Sequence, residues 1–317
     1  MPRAVPAAGA AIQIVGYTWR SGTLALRWRP WDEVGPGWRA VGRDEPRTWT
    51  LPPDSFMHLV AARPGAPGAR LCVGYRPPAG GPELPCPDGC ALPAGSRSEC
   101  DACMAREGRL EVVTSDGSRL PTGPRAEYLL SAHDVYLAAF APDVLKVGVS
   151  GAGRARLRVL EQGAPAGLVI GRADDGMAAR RLEHALSQMG TRERVQVRTK
   201  LRHLFPAPDA SALLARLGDA LERLTDALPG GWPIDVERMA PPAALDNTPL
   251  LHLTALDAPP IAAPPAPAGS LAGQVVAAAG ALLVVRAAQP TLWGDVAPAA
   301  PAAHDLRTWL GWRLVVR

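Results

Sequence analysis

Four cysteines fall in two close pairs, Cys86/Cys90 and Cys100/Cys103, in the pattern C-x3-C-x9-C-x2-C. Zinc takes four soft ligands on a tetrahedron with Zn–S near 2.3 Å, and two short-spaced pairs on neighbouring turns can supply that geometry. The loop between the pairs contains Pro93 and Gly95, so it can fold back. Thiolate binding to zinc contributes on the order of 10 kcal/mol to folding, enough to hold a segment with little apolar core. The expectation is a structural zinc on Cys86, Cys90, Cys100 and Cys103. Four free thiols, a redox pair at Cys100 and Cys103, and another metal are the alternatives. Cys72, fourteen residues upstream, reads as a buried or spare thiol, or as a replacement for Cys90 in the set.

A second constellation runs from His133 to Glu183. In the segments HDVYLA (133–138) and LKVGVS (145–150), period-two alternation puts Asp134, Tyr136 and Ala138 on one face of a strand and Lys146 with Gly148 on one face of the next. A hairpin would bring Tyr136 and Lys146 to the same side, and Gly148 would allow close approach of a ligand or backbone. Arg154, Arg156 and Arg158 then open or line a helix whose N-terminal amides favour an anion. His133 and Gln162 flank this region, and Glu183 lies on a later helix beside an apolar stripe. Lys146 and Lys200 are the only lysines against 32 arginines, which makes the position of Lys146 informative. Each residue also has a plainer reading. Tyr136 can be a packed strand tyrosine, Lys146 an edge-strand charge, Glu183 a partner of Arg180, His133 a satisfied structural histidine, Gln162 a helix-end contact and the arginines a solvated face.

These residues resemble the GIY-YIG nuclease superfamily, in which two strands carry the name-giving tripeptides and later helices carry an arginine and a metal-binding glutamate. Val135-Tyr136 stands for the first tripeptide, Lys146-Val147-Gly148 for the second, Arg156 or Arg158 for the arginine, and Glu183 for the glutamate. With the cysteine cluster and the EQGA segment (161–164), the stretch from about 70 to 205 also resembles an uncharacterised bacterial domain-of-unknown-function family with such a core. The resemblance implies catalytic roles for Tyr136, Lys146, Arg156, Arg158 and Glu183, with Mg or Mn on Glu183. Substrate contacts are expected from His133, Gly148, Arg154 and Gln162, with DNA or RNA as partner. Two departures stand out: Asp134 occupies a glycine position and Lys146 replaces the second tyrosine. The expected function is nucleic-acid binding with metal-dependent phosphodiester hydrolysis. The alternatives are an inactive nucleic-acid-binding zinc module, or an enzyme acting on a small anionic or amino-acid-like substrate.

The elements that must position these groups follow from patterning. The chain has 317 residues, is 47% hydrophobic and 20% charged, and has a mean hydropathy of +0.01, which argues against wholesale disorder and membrane embedding. Residues 151–205 carry eleven Arg/Lys against five Asp/Glu, whereas 207–250 carry three against seven; the positive field belongs to one segment. The expected fold is α/β, a small GIY-YIG-like mixed sheet with flanking helices. The expected organisation is a β-rich region over 1–62, a zinc-binding segment over 63–125, the core with its C-terminal helix over 126–230, a Pro/Ala-rich linker over 231–269 and a β-rich region over 270–317. In the last core helix, Leu214, Leu217, Leu221, Leu224 and Leu228 form a core-packing stripe. With no sustained apolar run at the start and five cysteines without a disulfide pattern, the expected location is cytoplasmic, with no membrane partner.

Overall fold

The computed structural model describes residues 5–31, 45–61, 70–77, 83–107, 115–120, 122, 126–264, 270–287, 300–310 and 312–317. The chain divides into two units, one of residues 1–107 with 255–317, the other of residues 108–254. The first unit begins with strands β1 (Ala11–Arg20), β2 (Thr23–Pro30), β3 (Arg47–Thr50) and β4 (Phe56–Ala61), followed by helix α1 (Asp101–Glu107).

The 108–254 unit contains α2 (Ala126–Leu129), β5 (His133–Ala141), β6 (Val144–Gly151), α3 (Ala155–Gln162), β7 (Ala166–Ala173), α4 (Gly176–Ser187), α5 (Val197–Arg202), α6 (Ala210–Ala227), β8 (Val236–Asp246) and α7 (Thr248–Leu251). Its sheet has the antiparallel order β6-β5-β7-β8, with Arg192 adding a parallel bridge to Lys146 at the β6 edge. The run HDVYLAAFA is apolar nearly throughout because β5 is internal and covered on both faces. Val135, Leu137 and Ala139 pack under Leu182 and Leu186 of α4 and Leu217 of α6, while Tyr136, Ala138 and Phe140 meet Ala155 and Val159 of α3. Asp175 and Asp209 accept amide hydrogen bonds at the starts of α4 and α6. The buried stripe of α6 runs Leu213, Leu217, Leu221, Leu224; Leu214, expected within it, is half-buried at its margin.

The stretch expected to be a linker holds an eleven-residue strand, β8, paired with β7. Pro241 and Pro242 disguise it. They fall where the register breaks, between the Gly171↔Arg238 and Val169↔Ala243 pairs, on an edge strand that needs no continuous ladder.

The first unit resumes with β9 (Ile261–Ala262), β10 (Ser270–Ala279), β11 (Leu282–Arg286), β12 (Ala302–Asp305) and β13 (Arg313–Val316). The two β-rich regions form one nine-stranded sheet, β3-β2-β1-β13-β4-β10-β11-β12-β9, in which β13 lies between β1 and β4. Residues 32–44 of the expected β-rich region over 1–62 lie outside the described residues. Among the described residues no helix is long and apolar enough to cross a membrane.

Candidate functional site

The cysteines belong to the first unit and are placed by its backbone. Residues 71–75 run against 84–91 through the Leu71↔Ala91 and Tyr75↔Leu84 bridges. Gly74, at φ +96°, sits where a Cβ would be 2.9 Å from the Leu84 carbonyl carbon, so a side chain there would push the two segments apart. Buried guanidiniums fix the loop. Arg70 donates to Pro93 O (2.7 Å), Ser96 Oγ (2.9 Å) and Ser96 O (3.0 Å), and Arg29 donates to Val73 O (3.1 Å) and Glu83 O (2.6 Å).

The sulfurs of Cys72, Cys86, Cys100 and Cys103 all lie within 4.8 Å of one another, with Cys86 Sγ to Cys100 Sγ at 3.9 Å. A tetrahedron with metal–sulfur bonds near 2.3 Å has edges of about 3.8 Å, so the donor set fits one ion. The spacing of the sequence had favoured Cys90; the tight group contains Cys72 instead. Cys90 forms a separate group with Cys86 and Asp88. Cys72 Sγ accepts the amides of Gly74 (3.4 Å) and Cys100 (3.2 Å), bonds that favour a charged sulfur. The Cys-x-Gly step at 72–74 is the local signal for this, since the glycine turns its amide back to the sulfur. Burial pushes the Cys72 thiol up to about 12 and raises Cys103 as well, and a hydrogen bond with Cys100 pushes Cys90 up to about 12. Burial would also raise Cys100, but hydrogen bonds from the Cys103 amide and from neighbouring thiols bring it down to about 7. Without a cation the cluster favours one thiolate among thiols; full ionisation calls for a metal.

The second constellation lies in the 108–254 unit. Tyr136 pairs with Gly148 and Ala138 with Lys146 across β5 and β6, so the phenol and the ammonium do leave the same face. The glycine makes room for the ring: a Cβ at 148 would lie 2.9 Å from Tyr136 Cε2 and closer still to Cζ and Oη. Gln162 Nε2, at the end of α3, donates to the buried phenol oxygen at 2.6 Å, and Arg158, one turn earlier, also bonds it. Burial nevertheless pushes Tyr136 up to about 12.

Lys146 Nζ donates to Val147 O (2.8 Å) and Glu193 O (2.5 Å). Burial brings its ammonium down to about 8, opposed by the charge of Glu183. Glu183 is buried on α4 in an ion pair with Arg180, whose guanidinium is also anchored on Ser115 O (2.9 and 2.7 Å). Burial raises the Glu183 carboxyl, with Arg180 and Lys146 opposing. Tyr136 and Lys146 both feel the charges of Arg158 and Glu183, which gives the four groups one electrostatic neighbourhood.

The other expected residues sit elsewhere. His133 is buried on the opposite face of β5, its Nδ1 2.7 Å from Ser131 O and its ring edge-on to Tyr128. It packs against Gly176, where a Cβ would lie 2.8 Å away, and burial lowers its pKa. Arg154 precedes α3 and Arg156 is exposed on it. Arg156 and Arg158 are two residues, about 200°, apart on the helix, so only one can face Tyr136. Asp134 organises the entry to α3: it accepts from Gly153 N (2.7 Å) and Arg172 Nε (2.8 Å). Sequence reasoning missed Glu193, whose contribution to Lys146 is a backbone carbonyl and carries no side-chain signature.

Around this neighbourhood the surface is basic. Arg154, Arg156, Arg192, Arg194, Arg198 and Arg202 are exposed, and among the described residues none of the six forms an ion pair with a carboxylate. Residues 192–202 lie against β6 and the C-terminal end of α3. Arg192 exchanges backbone hydrogen bonds with Leu145 and Val147 of β6, and Lys200 Nζ donates to Gln162 O (2.6 Å) while resting over the Phe140 ring.

Residues 89–242 match the model of a family described as protein of unknown function, DUF2797. The match takes in Cys90, Cys100, Cys103 and the strands and helices that carry Tyr136, Lys146, Arg158 and Glu183. No curated protein matches the chain, and no solved structure does.

Proposed function

We propose that the chain is a nucleic-acid-binding protein with a zinc-stapled loop. In this reading the arginine-bearing surface of the 108–254 unit grips phosphates. The observation that carries the reading is the set of six exposed arginines without carboxylate partners, on segments that pack against one another around β6 and α3. Uncompensated guanidiniums release counterions when they meet phosphates, which is the main sequence-independent source of nucleic-acid affinity. Zinc is the metal that best suits four thiolates on a tetrahedron in a site without other chemistry. It would hold residues 72–103 together and supply folding energy rather than catalysis.

Phosphodiester hydrolysis is the second reading, favoured by the shared neighbourhood of Tyr136, Lys146, Arg158 and Glu183. It ranks below binding for two reasons. The Glu183 carboxylate, which would hold Mg or Mn, is engaged by Arg180, and a phenol pushed up to about 12 stays protonated near neutrality and offers almost no phenolate to act as base. A third reading, a small anionic substrate in the same neighbourhood, leaves the six outlying arginines unused.

The test is fluorescence anisotropy with labelled duplex DNA, duplex RNA and single strands, on the wild type and on a variant with Arg154, Arg156, Arg194 and Arg198 replaced by glutamine. Cleavage is followed in parallel with Mg²⁺ and Mn²⁺. Binding that weakens at least tenfold in the variant supports the assignment, and absence of affinity for every oligonucleotide at low salt removes it. Metal-dependent cleavage lost in Glu183→Gln with binding retained would promote the hydrolytic reading.

A further inference from the structure

The described thiols outnumber the positions of one tetrahedral ion. Cys72, Cys86, Cys100 and Cys103 close one tetrahedron, which leaves Cys90 over, yet Cys90 does not turn away. Its sulfur, the Cys86 sulfur and an Asp88 carboxylate oxygen form a group whose donors all lie within 4.8 Å of one another. The turn that creates this group is local: Gly89 N donates to Cys86 O (3.3 Å), with Gly89 at φ +56°. Cys86 belongs to both groups.

We propose that Cys86, Asp88 and Cys90 hold a second divalent cation, bridged through the Cys86 sulfur to the ion of the Cys72 quartet. The proposal rests on the quartet being a metal site. A thiolate has lone pairs for two metals, and the donor count favours sharing. The four sulfurs of the quartet fill the positions of one tetrahedral ion, so an ion held by Cys90 and Asp88 reaches a third protein donor by sharing the Cys86 sulfur.

The two ions differ in character. The quartet surrounds its ion with sulfur. The second ion has three protein donors, one on exposed Asp88 and one on half-exposed Cys90, so its remaining position faces solvent. A three-ligand site with an open position exchanges its fourth ligand. That ion is therefore the more labile of the two and is open to an oxygen donor such as water or phosphate.

The test is equilibrium dialysis of the full chain against buffered free zinc, with the bound metal measured by elemental analysis, on the wild type, Cys90→Ser, Asp88→Ala and Cys100→Ser. The expected result is two ions per chain in the wild type and one in Cys90→Ser and Asp88→Ala. Exposed Asp88 makes the latter variant one that folds normally. Cobalt(II) adds a readout specific to the bridge: the paramagnetic signal of the first equivalent falls as the second binds beside it. One ion per wild-type chain at saturation, or two retained in both variants, overturns the proposal. The first of these outcomes leaves a single tight ion that Cys100→Ser abolishes. A failure of the quartet itself looks different, with no tight ion in any variant.

Discussion

Substituting Gly148 by alanine tests the packing that holds the Tyr136 neighbourhood together. In a strand, alanine for glycine ordinarily stabilises, because glycine loses more backbone entropy on folding. Here the added methyl would sit 2.9 Å from Tyr136 Cε2 and nearer still to Cζ and Oη, against an ordinary carbon–carbon contact of about 3.5–4.0 Å. The ring has little room to yield. It is 1% exposed, and its oxygen is held by Gln162. Overpacking of this kind costs about 1–3 kcal/mol, and tilting the ring enough to break the Gln162 bond would add roughly 1–3 kcal/mol for the buried donor left behind. Chemical denaturation of the full chain gives the loss, and hydrogen exchange read by mass spectrometry localises it to peptides of β5, β6 and α3. Repeating the substitution in a Tyr136→Leu background, where the ring is gone, should abolish the penalty and yield a coupling of about 1–3 kcal/mol. A Gly148→Ala protein within about 0.5 kcal/mol of the wild type, or an equal loss in both backgrounds, would refute the account of this contact.

Other consequences follow from buried charges and from the cysteine set. Lys146, brought down to about 8 in the folded chain against about 10.4 unfolded, binds fewer protons folded than unfolded between those values. Stability therefore rises with pH across that window, by at most about 3 kcal/mol, and Lys146→Met should remove the slope; equal slopes in both proteins would contradict the burial of the ammonium. Asp134→Ala strands the Gly153 amide and frees Arg172, with an expected loss of about 1–3 kcal/mol and faster exchange at the start of α3; an unchanged exchange pattern would count against its capping role. Cys72→Ser should lose the tightly held ion while Cys90→Ser keeps it, measured as zinc per chain after dialysis against a weak chelator, and the reverse order would restore the ligand set that the spacing favoured.

Much of the central sheet was legible because its signals are local. The alternation in 133–138 and 145–150 fixed a hairpin and put Tyr136 and Lys146 on one side, as the Tyr136↔Gly148 and Ala138↔Lys146 pairs confirm. Asp175 and Asp209 mark helix starts by ordinary capping chemistry. The failures have physical causes. β8 was hidden because an edge strand with Pro241 and Pro242 carries neither alternation nor an apolar run. Leu214 was placed in the α6 stripe in place of Leu213 because a three-four leucine pattern admits two neighbouring faces. Cys72 was ranked behind Cys90 as a ligand because motif spacing rewards closeness in sequence, whereas its place in the cluster depends on pairing between residues 71–75 and 84–91. The choice between Arg156 and Arg158 needed the rotation of α3 about its axis, which only packing against β5 decides.

The most direct test of the central claim is the salt dependence of oligonucleotide affinity. If the six unpaired arginines meet phosphates, a plot of log K against log salt for duplex DNA should be linear with a slope of about −5, and affinity should fall roughly a thousandfold between about 50 and 200 mM salt. Each engaged arginine replaced by glutamine should flatten the slope by about 0.9. A slope near zero, or one that is unchanged when Arg154, Arg156, Arg194 and Arg198 are all replaced, would contradict the assignment of this surface to nucleic acid.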